Sequence, residues 1–116
     1  MTSKYGELVR SHKDWEMYID GELTSLGMPQ DLLGYYYLIA GIILCAEDIS
    51  LAVSGITKRL YPEIADICNT KPTRVERCIR HAIESTNSYK IFGDPSKKPT
   101  NSAFIAFMAN RIRRKF

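Results

Sequence analysis

Long hydrophobic runs are missing from this sequence. The longest, Leu32 to Ala46, has fifteen residues, short of the about 20 that a membrane-spanning helix needs. It is expected as a buried core helix, and no membrane is expected as a partner. Cysteine is scarce: Cys45, Cys68 and Cys78 are odd in number and have apolar neighbours. They argue against a disulfide framework and fit free thiols in a reducing cytosol. Met1 to Asp20 contains no apolar core of the kind a secretory signal needs. Catalytic signatures are lacking too. There is no phosphate-cradling Gly-rich loop, no nucleophile elbow and no metalloprotease helix. His12 stands alone in a polar lead-in, and no carboxylate pair is marked out in the N-terminal half. No enzyme activity, catalytic residue or cofactor is therefore expected. Cys68, Cys78 and His81 follow the spacing C-x9-C-x2-H. That spacing matches no zinc module and offers no evident fourth ligand, so no metal site is expected.

The 116 residues suffice for one domain with one core. Apolar residues at 45% exclude a disordered chain. The net charge of +3 conceals an asymmetry. Residues 1–70 carry five Lys/Arg against ten Asp/Glu, and residues 71–116 carry eleven against three. A split of this size points to a polyanion for the C-terminal half, with an ordinary solvated basic face as the alternative.

Helical periodicity dominates, so the expected fold is all-α. A first helix is read from about Lys4 to Leu26, with Trp15, Ile19, Leu23 and Leu26 as its apolar stripe. Residues 1–14 form a lead-in, flexible or helical, and residues 15–116 the domain proper. Gly27 and Met28-Pro29 end the first helix. A central core helix follows from about Gln30 to Glu47. Within it Gly34 and Gly41 each cost about 1 kcal/mol relative to Ala, a cost consistent with close helix packing. A link through Asp48 to Val53 leads to a helix from Ser54, as its cap, to Cys68. Pro62 should kink that helix or divide it. Asn69 to Pro72 is a turn, and a further helix runs to about Thr86. Its cap is either Thr70 or a capping box of Thr73 and Glu76. Asn87 to Lys98 reads as a loop with a short turn near Tyr89 to Phe92. The last helix starts at Thr100 or Asn101, and its terminal cations suit the helix dipole.

The segment Tyr61 to Arg80 has the pattern of a helix-turn-helix. Ala65 is small where two helices touch, and Asn69 tolerates a left-handed turn. Ile64, Cys68, Val75 and Cys78 fall where locking contacts belong. In the second helix Val75, Cys78, Ile79, Ala82 and Ile83 share one face. Arg74, Glu76, Arg77, Arg80, His81 and Glu84 share the other. Arginine's planar fork matches guanine N7 and O6, and a glutamate can accept from cytosine N4. The competing reading is a wet face of i,i+4 pairs, Glu76–Arg80 and Arg80–Glu84.

These residues also carry a resemblance. Gly34-Tyr35-Tyr36-Tyr37-Leu38, Gly55-Ile56-Thr57-Lys58, Leu60 to Ala65, Arg74 to Glu84 and Lys98 to Ala106 are the matching runs. Through them the chain resembles the C-terminal effector domain of the master response regulator of sporulation initiation in endospore-forming Firmicutes. The likeness covers about residues 15–113. It implies a compact six-helix domain around a helix-turn-helix, whose recognition helix reads a short box containing G and C, with tandem binding of copies. By position it assigns Arg74, Glu76, Arg77, Arg80, His81 and Lys98 to the DNA-facing surface. Lys71 and Thr73, at the start of the recognition helix, complete the expected DNA-binding set. The family's phosphoacceptor receiver domain has no counterpart in these residues, which leaves a fragment and a standalone protein both open. The stretch Asn87 to Lys98 is shorter than in the family, where that region helps contact RNA polymerase sigma factor.

The expected partners are double-stranded DNA, sigma factor, and further copies in tandem on DNA. The expected location is the bacterial cytoplasm, on the nucleoid when bound. Two other readings stay open. One is a protein-interaction module with an apolar patch on the Tyr36 or Phe107 side. The other is a competitor that occupies the family's boxes without activating.

Overall fold

The structure is a computed structural model that describes residues 3–93 and 96–116. Among the described residues there is no strand, as the periodicity predicts. The elements are α1 (Lys4–Ser11), α2 (Lys13–Ser25), α3 (Leu33–Glu47) and α4 (Ser50–Ser54). A π-helical turn (Ile56–Leu60) runs directly into α5 (Tyr61–Ile67). Then come α6 (Pro72–Glu84), α7 (Tyr89–Phe92) and α8 (Asn101–Lys115).

Helix α3 is the axis of the fold. Eleven of its fifteen residues are buried, so it must be covered on every side, and α2, α5, α6 and α8 all pack against it. Its glycines allow the closest approaches. An added Cβ at Gly34 would lie 2.2 Å from the Cys78 carbonyl oxygen and 2.8 Å from the Ala82 Cβ. At Gly41 it would meet the Ile64 Cδ1 at 2.9 Å. Ile19, Leu23, Leu38, Ile42, Ile64, Ile79, Phe104 and Ile105 complete one continuous core. Each such side chain contributes about 1.5–3 kcal/mol by leaving water.

Several boundaries differ from those expected, each for a local reason. The helix read from Lys4 to Leu26 is two helices, because the backbone turns at His12 (φ −135°, ψ 49°). His12 does not stand alone. Its ring lies 4.7 Å from that of Trp15, its Nδ1 is 3.2 Å from the Leu8 carbonyl, and its Nε2 is 3.6 Å from a Glu47 oxygen. Helix α1 has no fully buried residue. It leans on the body through Lys4–Asp66 at 2.8 Å and the edge of Tyr5 against Tyr36.

Helix α3 begins at Leu33 and not at Gln30, whose side-chain amide turns back to Asp20 at 3.3 Å and Thr24 at 3.2 Å. Ser54 does not cap a helix; it ends α4. The expected link before it is helical from Ser50, where Asp48 Oδ1 accepts from the Ser50 N–H at 3.2 Å and its hydroxyl at 2.6 Å. Those Ser50 hydrogen bonds, with Arg59 beside them, hold the Asp48 carboxyl below the usual carboxylate range. Pro62 marks a boundary: it lies in the first turn of α5, just beyond the π turn, where its missing N–H costs nothing. Helix α8 starts at Asn101, one of the two expected starts, and Thr100 caps it, accepting from the Ala103 N–H at 3.1 Å.

Candidate nucleic-acid interface

The α5–turn–α6 unit is built by its small and apolar residues. Asn69 is left-handed, with φ of 55°, a region that asparagine tolerates better than most residues. That conformation lets the Thr70 N–H reach the Ala65 carbonyl at 2.8 Å, which closes the turn. Val75, Ile79, Ala82 and Ile83 are buried on one face of α6, which packs on α5 and on the α3 axis. Cys68 and Cys78 are half-buried and packed on the same core. Burial pushes the Cys68 thiol up to about 11, so it stays protonated and acts as a packing residue.

The opposite face of α6 is in solvent. Arg74, Arg77, Arg80, His81 and Glu84 are exposed and Glu76 is half-buried. One of the two expected i,i+4 pairs forms: Arg80 Nη1 lies 3.1 Å from Glu76 Oε1. Such a pair contributes a few tenths of a kcal/mol (about 0.2–0.5) and can be exchanged for another partner. Among the described residues, no carboxylate lies within ion-pair distance of Lys71, Arg74 or Arg77.

Neither expected cap of α6 forms. Lys71 is extended at the N-cap and makes no side-chain cap hydrogen bond, and Pro72 opens the helix. The free N–H groups of that turn carry the positive end of the helix dipole. Lys71, Thr73, Arg74 and Arg77 border a hollow of about 420 Å³ there.

A brace on one flank has no counterpart in the sequence pattern. Asn101, at the start of α8, donates to the Tyr61 hydroxyl at 3.0 Å and to the Glu76 carbonyl at 3.1 Å. It thereby ties α5, α6 and α8 together beside the exposed face. Thr57, from the π turn, joins Tyr61, Glu76, Arg80, Lys98 and Asn101 around a second hollow of about 460 Å³. The only sequence sign of Thr57 and Asn101 is their presence in the matching runs. Lys98 is exposed, but its ammonium donates to the Thr86 carbonyl just beyond α6. It lies beside the ridge as a cap on that end, not on the ridge itself.

The charge split overstates the basic face near α6. Arg111 pairs with Glu22 at 3.2 Å, Arg113 donates to the Ala46 carbonyl at 2.9 Å, and Lys115 lies over the Tyr18 ring. At about 1.5 Å per residue, these groups are at the far end of α8 from Asn101. The two sides named for a protein-interaction module differ in cover. Tyr36 is 44% exposed, while Phe107 is partly covered by Phe92 and the Arg111 guanidinium. A family model described as the sporulation initiation factor Spo0A C terminal matches residues 19–112.

Proposed function

The chain belongs to the Spo0A C-terminal family, whose members are DNA-binding effector domains and not enzymes, and from that membership we propose that α6 reads a short box of duplex DNA in the major groove. Arg74 and Arg77 donate to guanine N7 and O6. Arg80 and Glu76 exchange their mutual pair for base edges, with Glu76 accepting from cytosine N4. His81 supports them on one side and Lys98 on the other. Lys71, Thr73 and the uncapped first turn of α6 take the phosphates. The reading unit is residues 15–116, with residues 1–14 as a lead-in, and it works on DNA in the cytoplasm.

One observation carries this reading: Arg74 and Arg77 stand on α6 in solvent and, among the described residues, no carboxylate lies within ion-pair distance of either. A helix built for the protein's own interior would have neutralised them. Selection from a random DNA pool tests it. A short box with guanines and cytosines at fixed spacing should be enriched. Recovery of a pool no different from the input would end the proposal.

A second reading concerns the step after DNA is bound. The region from 87 to 98, which the resemblance links to sigma factor, is short, and residues 94 and 95 lie outside the described residues. A protein that occupies boxes, singly or in tandem, without recruiting polymerase fits that short loop. In vitro transcription from a promoter carrying the selected box separates activation from occupancy.

A further inference from the structure

The reading ridge has a flank whose floor is apolar and whose rim is charged. Where α6 faces the start of α3, Leu32, Leu33, Gly34 and Cys78 line a groove of about 540 Å³ that Arg77 and His81 border. Leu33 opens α3 and is 45% exposed. A single exposed leucine is ordinary on a protein surface. This one is clamped. Its neighbour Gly34 lies so close to α6 that a Cβ would stand 2.2 Å from the Cys78 carbonyl oxygen. The leucine is therefore held at a fixed place beside the arginine and histidine of the ridge.

That placement limits what the groove can take. Asp31, Glu84 and Arg80 line it as well, and the two carboxylates offset the two arginines, so the groove offers a phosphate little net positive charge. The arginine forks and the glutamate serve guanine and cytosine. One base alone carries an apolar group on its major-groove edge: thymine, with its C5-methyl. We propose that Leu33 reads the methyl group of a thymine flanking the G and C contacts of the box. The inference rests on the DNA-binding reading above and adds a base to it.

The test uses the intact chain and the selected box. Each thymine is replaced in turn by deoxyuridine, which removes one methyl and leaves base pairing unchanged. Dissociation constants are then compared at fixed salt for the parent and for Leu33→Ala, with melting curves to show that the variant is folded. At one position the parent should lose about fourfold in affinity, as expected for one buried methyl. Leu33→Ala should bind the thymine box about that much more weakly and be indifferent to uridine at that position. The proposal is overturned if the parent senses no uridine, if the box holds no thymine, or if Leu33→Ala remains as sensitive as the parent. It is equally overturned by equal losses on both boxes, which would mean that Leu33 touches the sugar and not the base. Failure of the parent to bind any box would instead remove the DNA-binding reading itself.

Discussion

Arg77 borders three of the hollows around the exposed face of α6 and, among the described residues, has no carboxylate within ion-pair distance. Arg80 next to it is already held by Glu76. If one side chain decides the base preference it is Arg77, because its fork is free and central. A bidentate arginine–guanine contact supplies about 1–3 kcal/mol of discrimination. Arg77→Ala should lower the ratio of cognate to scrambled affinity by tenfold or more in a gel-shift titration. An unchanged ratio would reduce Arg77 to a phosphate contact. Gly34 works by the opposite principle, through the absence of a side chain. Alanine there would drive a methyl into the Cys78 carbonyl and the Ala82 Cβ, both fixed parts of α6. Overpacking of this kind costs about 1–3 kcal/mol, so Gly34→Ala should lower the urea midpoint clearly. It should also weaken DNA binding, since α6 and Leu33 would no longer keep their mutual register. A midpoint equal to the parent's would show that the α3–α6 approach can relax.

Whole helices are legible where the pattern is long. The apolar face of α6, its solvent face, the left-handed Asn69 and the all-apolar α3 follow from residue type and period alone. Contacts made across the chain cannot be read in this way. The break at His12 depends on Trp15 and on Glu47, thirty-five residues away. The start of α3 depends on Gln30 choosing partners in α2. Periodicity carries no sign of either. The same holds for the site: the ridge is a property of one helix, whereas the Asn101 brace joins three. On the proposed DNA-binding reading, that brace would give α8 a part in holding the ridge. Thr100 caps α8 immediately before Asn101, and losing such a cap costs about 1 kcal/mol. Thr100→Ala should therefore destabilise by about that amount and loosen the Glu76 end of the ridge. Amide exchange of α6 should quicken around residues 76–80 while the 1–25 segment keeps its rates. Uniform quickening would mean that the cap supports the fold as a whole and does not brace the ridge.

Taken as one charged body, the molecule holds its cations in two places with different duties. Burial raises the thiols of Cys45 to about 12 and Cys68 to about 11 from an ordinary 9, so the folded state keeps protons that the unfolded chain releases from pH 9 upward. With fewer protons bound in the unfolded state, stability is full below pH 9 and falls as pH rises beyond it. Urea titrations under reducing conditions at pH 8, 9.5 and 10.5 should show that fall, and a shallower one for Cys45→Ala; equal slopes would mean that Cys45 ionises freely in the fold. The cations divide on different grounds. Binding that neutralises phosphates releases counterions, so each lost phosphate contact lowers the salt slope by about one. Lys71, exposed at the open end of α6, should show this: Lys71→Ala weakens all sequences alike and reduces the slope by about one. Arg113 answers to the Ala46 carbonyl at the far end of α8. Arg113→Gln should lower the melting temperature and leave the salt slope unchanged. A reduced slope for Arg113→Gln would place DNA along the whole of α8, and the basic half would then act as one continuous surface with no division of duties.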